Sequence, residues 1–342
     1  MILTVSGIVS KKRFFRSSSS LFAISSGTVS VNRFVLDLLI AMSIRRSFSA
    51  SSNINHHTHT HSINGTHTHS AAAGEKMRII SLKNPILGFF VLVAGLSVPF
   101  YLVSEVTRSM LLPGLPVSSL VSFCPVMAAV ALVYSTDRRT GVVLLLKRSF
   151  DLRRIGGKVW FVPVVFLMPI VMVLSFVAIR LSGVAVPVPE IDVLPALVMV
   201  VAFFVAALGE ELGWSGYAID RLQAKWSALQ AAILLGLFWA FWHYVPLLQA
   251  GRSAAWIAWW SIGTVALRII MVWLYNNAGK SVFAAAFFHM TVNLTWQLFP
   301  VNGSYYDPAI TGLIQVCVAT VVVAIWGPRS LASPKLSLVQ RG

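Results

Sequence analysis

Val201-Ala-Phe-Phe-Val-Ala-Ala-Leu-Gly-Glu-Glu-Leu-Gly-Trp214 closes a long apolar run with two adjacent carboxylates, Glu210 and Glu211. The run covers approximately residues 194–213, about the length a helix needs to cross a bilayer. Ionisable groups in such sequence cost roughly 2.5–3.5 kcal/mol on insertion scales, and by default they mark a functional site. The stretch therefore reads as a membrane helix with its acid pair at the end.

Seven further apolar runs flank it, at approximately 86–104, 117–134, 159–180, 228–248, 256–275, 281–299 and 309–326. With 57% hydrophobic and only 11% charged residues and a mean hydropathy of +0.78, the chain is not an ordinary soluble protein. The expected fold class is all-α: a polytopic membrane protein, a bundle of about eight transmembrane helices. Lys and Arg set its orientation. Arg138, Arg139, Lys147, Arg148, Arg153, Arg154 and Lys158 fall between the second and third runs. Alternation puts Arg221, Lys225, Lys280, Arg329, Lys335 and Arg341 on that same side, and Glu105, Glu190, Asp192 and Asp307 on the other. This places both termini in the cytoplasm. The net charge of +16 thus sits in short loops beside a lipid bilayer and does not form a nucleic-acid face. Cys124 and Cys317 lie inside apolar runs without zinc-like spacing and read as small packing residues.

Residues 1–76 differ in kind. They are rich in Ser, carry eight basic residues against Asp37 and Glu75, and hold six histidines between His56 and His69. Three readings stand: an organellar presequence, a loose metal-binding tract, or translation that begins at Met77, which the abrupt change of composition favours. In each the segment is an extension, disordered and outside the working body. The expected organisation is this extension at 1–76, an intramembrane domain at 77–328 and a short cytoplasmic tail at 329–342. The membrane is the plasma membrane in a prokaryote, or an organelle's if the presequence is real.

Outside that extension only two histidines remain, one in Phe238-Trp-Ala-Phe-Trp-His243 and one in Phe287-Phe-His289-Met-Thr-Val-Asn293. Adjacent glutamates point about 100° apart on a helix, so one can face a cavity and the other a neighbouring helix. A buried glutamate tuned by its surroundings can take a proton from water; the plain alternative is an acid pair at a helix end touching headgroups. His289 and Asn293 share a helical face and can donate to a forming oxyanion. They could equally be an interhelical clasp, worth about 0.6 kcal/mol in membranes. His243 sits in an aromatic cluster that also suits an interfacial belt.

The combination is more specific than its parts. Glu-Glu, an aromatic-rich stretch ending in His, and His-x-x-x-Asn occur in that order on the fourth, fifth and seventh runs. This resembles the CPBP family of CAAX-processing and bacteriocin-processing intramembrane endopeptidases, also called Abi or Rce1-like proteins. The resemblance covers about residues 195–300 closely. It implies that Glu210 activates water with help from His243, that His289 and Asn293 bind the scissile carbonyl oxygen, and that Glu211 is held by an arginine. The activity implied is hydrolysis of peptide bonds near the membrane surface, on a peptide or protein substrate, without a covalent intermediate. One departure stands out: the family's first motif reads Glu-Glu-x-x-x-Arg, and here Ser215 occupies the last position.

Arg268 lies mid-way along the sixth run, where a lone charge is costly, and Glu211 is the carboxylate expected to pair with it. Snorkelling or backbone carbonyls are the other outlets. Members of the family are often called metalloproteases, and Glu210, His243 and His289 could hold zinc with an open position. The helical motif His-Glu-x-x-His is lacking, so a metal-independent site is favoured. Two other classes compete. One is a transporter or ion and proton pathway, against which the lack of a repeat of broken helices speaks. The other is a non-catalytic immunity or adaptor factor on the same fold. Depth fits poorly. At 1.5 Å per residue, His289 lies roughly 12 Å and His243 roughly 24 Å from the inner ends of their helices, so they meet only if the fifth helix tilts or starts outside the bilayer.

Overall fold

Every apolar run carries a helix in the computed structural model, which describes residues 84–188, 191–299 and 305–332. The extension at 1–76, Glu190 and the tail from residue 333 lie outside the described residues. Helix α1 is Pro85–Thr107, α2 Cys124–Lys147, α3 Phe161–Leu181, α4 Val193–Gly213, α5 Ile219–Gln223, α6 Ala228–Trp242, α7 Tyr244–Gln249, α8 Ala254–Asn277, α9 Val282–Gln297 and α10 Pro308–Trp326. A short hairpin, β1 Met110–Leu112 and β2 Leu115–Pro116, and a 3₁₀ turn at Val117–Phe123 join α1 to α2. The starts of the helices follow from local chemistry. Asn84 caps α1 ahead of a proline, Ser227 and Gln230 make a capping box on α6, and Asp307 caps α10. Each satisfies amide groups the first turn leaves free.

The protein is an all-α, multi-pass membrane protein. Among the described residues, seven helical stretches are long and apolar enough to cross a membrane. The seventh sequence run holds the exception, α9, which has 16 residues. Its short length has a visible cause. The N-cap Ser281 is fully buried, and the connection between α2 and α3 folds over it. Asp151 accepts from Ser281 Oγ at 2.7 Å and from the amides of Val282 and Phe283 at 3.2 and 3.1 Å. Just before it, Gly279 has φ +64°, and a Cβ there would sit 1.9 Å from the Arg154 carbonyl oxygen. Only glycine fits that turn. The basic connection that marks one end of the bundle is thus partly structural: Arg148 donates to the carbonyls of Gly216 and Lys280 and to the Tyr275 hydroxyl.

Helix α8 is the hub, packing against α10, α6 and α9; α9 in turn packs against α4 and α3, and α2 lies between α1 and α4. Lipid is as apolar as leucine, so close backbone approach matters more here than hydrophobicity. Helix α4 illustrates the point: Val193, Leu197, Val201 and Val205 are exposed along its length, while Gly209 and Gly213 lie against the start of α2. A Cβ at Gly213 would meet Pro125 at 2.5 Å, and one at Gly209 would meet the Ser122 carbonyl oxygen at 2.8 Å.

Gly213 therefore permits close packing and does not end the helix. The acid pair expected at a helix end lies within a continuous stretch, Val193–Gln223, that passes through a π turn at Trp214–Ala218. A second departure is in α2, which runs past the expected 134 to Lys147 with a kink at Arg138, φ +55°. At the other end of the chain, the first tail residues pack in: Leu331 is buried, and Asn276 and Asn277 donate to the carbonyls of Ser330 and Leu331.

Candidate active site

The π turn sets the spacing of the site. In such a turn the helix accommodates an extra residue, a feature common at functional positions. Trp214 and Ser215 each follow a glutamate by four residues and so lie on the same faces as Glu210 and Glu211. Trp214 Nε1 donates to Glu210 Oε2 at 3.1 Å, and from α6 Trp239 Nε1 donates to the same oxygen at 2.7 Å. Two indoles thus fix one carboxylate oxygen. The other, Oε1, lies 4.0 Å from His289 Nε2.

Glu211 turns a different way and is fully buried. Arg268 Nη1 donates to its two oxygens at 3.1 and 3.2 Å, Ser215 Oγ also donates to it, and His289 Nδ1 lies 3.1 Å from its Oε1. A carboxylate only accepts, so His289 donates from Nδ1 and presents Nε2 to Glu210. Arg268 is 1% exposed and its guanidinium stacks 4.1 Å from the centre of the Trp239 ring, a cation–π contact strengthened by the absence of water. Trp239 thereby serves both halves of the pair: its ring carries the cation of Glu211, its N–H holds Glu210.

His243 stands at the break between α6 and α7, its Nδ1 2.8 Å from the Trp239 carbonyl oxygen and its ring against Trp242 and Trp260. Trp239 touches both histidine rings, at 5.6 Å for His243 and 5.2 Å for His289. The depth mismatch is resolved by the short helix. His243 is roughly 22 Å from the start of α6 and His289 roughly 10 Å from the start of α9 by helical rise, and the α2–α3 connection beneath α9 takes up the difference.

Glu210, His243, His289 and Asn293 all line one cavity of about 500 Å³. It runs from Glu210 to the end of the bundle that carries the β hairpin and the α7–α8 turn, and its wall is mostly apolar, with Met168, Phe203 and Leu267 among the lining. Asn293 makes no hydrogen bond among the described residues, and its carboxamide N–H is free to donate one. As for a metal, the histidine arrangement has the outer partners a zinc site needs, with each Nδ1 on a protein oxygen. Even so, among the described residues no group of three or more His, Cys, Asp and Glu converges closely enough to hold an ion. Glu210, His243 and His289 as placed do not fit one.

Sequence reasoning names the acids, the histidines, Asn293 and Arg268, and the structure brings them together at one place. It misses the roles of Trp214 and Ser215, which the i, i+4 spacing from each glutamate could have signalled, and those of Arg148 and Asp151, read only as loop charges.

Comparison with known proteins falls on the same part of the chain. Residues 192–295 match the family model described as type II CAAX prenyl endopeptidase Rce1-like. The chain is also 31% identical over 198 residues to CAAX prenyl protease 2 of Methanococcus maripaludis, covering 52% of this chain and 70% of that protein.

Proposed function

The chain belongs to the Rce1-like family of type II CAAX prenyl endopeptidases, and we propose that it hydrolyses a peptide bond near the C-terminus of a lipid-modified protein by means of water activated by Glu210. The observation that carries this reading is the unequal treatment of the two glutamates. Glu211 is consumed by Arg268, Ser215 and His289. Glu210 has one oxygen anchored by two indoles and the other turned to His289 at the cavity wall.

In this reading a water enters beside Glu210 Oε1, and Glu210 takes its proton as the hydroxide attacks the scissile carbonyl. The Asn293 carboxamide and His289 Nε2, when that ring is protonated, stabilise the oxyanion. Glu211 holds His289 in the orientation this requires. His243 assists by relaying to the leaving amine the proton that Glu210 took from the water. The apolar cavity excludes bulk water, which strengthens each of these polar contacts, and offers room for a prenyl chain. No step is routed through a metal.

The test is cleavage of a farnesylated CAAX-ended peptide by the purified protein, with products identified by mass spectrometry. A single cut near the lipidated cysteine that survives exhaustive chelation supports the reading. Failure to cut any such peptide would contradict it, and loss on chelation restored by zinc would overturn the metal-free chemistry.

A further inference from the structure

Among the described residues lining the cavity, Arg252 is the one Lys or Arg and Glu210 the one carboxylate. Arg252 lies in the turn between α7 and α8. Its position is built. The backbone amide is tied to the Leu247 carbonyl at 3.0 Å, the guanidinium lies 4.7 Å from the centre of the Trp256 ring, and Gly114 of the β hairpin leaves the space opposite open, a Cβ there lying 3.5 Å from Arg252 Nη2. Among the described residues it has no carboxylate partner and its guanidinium makes no hydrogen bond. Burial pushes it below its ordinary pKa range, an effect an anion beside it would reverse. Arg268 by contrast is already paired with Glu211. A planar, half-buried cation in an apolar wall, with no counter-ion among the described residues, suits bidentate capture of a carboxylate or phosphate group.

Resting on the endopeptidase reading, we infer that Arg252 binds the free C-terminal carboxylate of the substrate and so sets which bond reaches Glu210. Two features favour the peptide terminus over a lipid phosphate. The guanidinium faces the same cavity as Glu210. It also stands at the end of that cavity away from Glu210, in the turn between α7 and α8, so an extended peptide lying along the cavity can reach both. The negative charge of Glu210 repels a carboxylate from the deep end, leaving Arg252 as the permanent cation on the wall. Cleavage short of the terminus follows from that placement.

The test reads binding without turnover, by quenching of tryptophan fluorescence in detergent, with every protein, the parent included, carrying Glu210→Gln; cleavage is read separately with Glu210 intact. Its probes are two farnesylated CAAX-ended peptides of one sequence, one with a free C-terminal carboxylate and one with a carboxamide. The parent protein should bind the acid about tenfold or more tighter than the amide, as loss of a charge-assisted hydrogen bond requires. In Arg252→Gln that ratio should fall to near one, and in Arg252→Lys, which keeps the charge but not the fork, it should be intermediate. Equal binding of acid and amide by the parent, or a preference that persists in Arg252→Gln, overturns the assignment. So does a result in which Arg252→Gln alters only the response to added phosphatidylglycerol, which would give the site to a lipid phosphate. Acid preference without any cleavage would refute the endopeptidase reading and leave the anion site standing.

Discussion

Two glutamates one residue apart do different work because a helix turns about 100° between them, and each meets different neighbours. Arg268 supplies to Glu211, from another helix, the positive charge that the family motif places four residues later, while Ser215 keeps that position and donates a hydrogen bond. Removing one side of a buried pair typically costs about 3–5 kcal/mol. Arg268→Ala should therefore lower the unfolding midpoint by several degrees or more and abolish activity, because the Glu211 that orients His289 loses its counter-ion. Adding Ser215→Arg to that variant should restore part of both. An Arg268→Ala protein as stable and active as the parent would show that the pair is dispensable. Spacing makes the acids and histidines legible in the sequence, and the cost of a lone buried charge leads from Arg268 to Glu211. The indole donors are hidden: a tryptophan in a membrane helix has many apolar reasons to be there, and only the fold shows its N–H turned to Glu210.

Helix α9 carries His289 and Asn293, so whatever fixes its start fixes half of the site. Asp151 does this from the α2–α3 connection, accepting two of its first amides and the Ser281 hydroxyl, and its charge sits favourably at a helix N-terminus. Asp151→Ala should cost about 1–2 kcal/mol of stability and reduce kcat more than KM, since the oxyanion donors lose their register. Asp151→Asn should keep most of the stability. Thermal unfolding together with initial rates measures both, and unchanged rates in Asp151→Ala would show that α9 is positioned by packing alone. Element boundaries are largely readable from hydrophobic runs. The continuation of the acid-bearing helix through Trp214–Ala218 is not, because Gly213 after an acid pair looks like a helix end, and its packing against Pro125 is visible only in three dimensions.

At the scale of the whole molecule, the basic connections gather at one end of the bundle while the cavity reaches the other, near Arg252 and the β hairpin. Single cysteines introduced as Arg153→Cys and Ala254→Cys, at two exposed positions, in a chain lacking Cys124 and Cys317, should react with a membrane-impermeant thiol reagent from opposite sides. Arg153→Cys should react on the cytoplasmic side by the positive-inside rule. Reaction of both from one side would contradict the arrangement of spans. The all-α membrane architecture is legible from composition and run length, whereas the depth at which the histidines meet is not, because it depends on a connection folding under a short helix. The proposed mechanism rests above all on Glu210 as the base. The most direct measurement is the single-turnover rate of cleavage of a farnesylated CAAX-ended peptide by Glu210→Gln beside the parent, both shown to be folded and membrane-inserted. A loss of about 10²–10⁴-fold is expected for removal of a general base; cleavage by Glu210→Gln at the parent's rate would contradict the account.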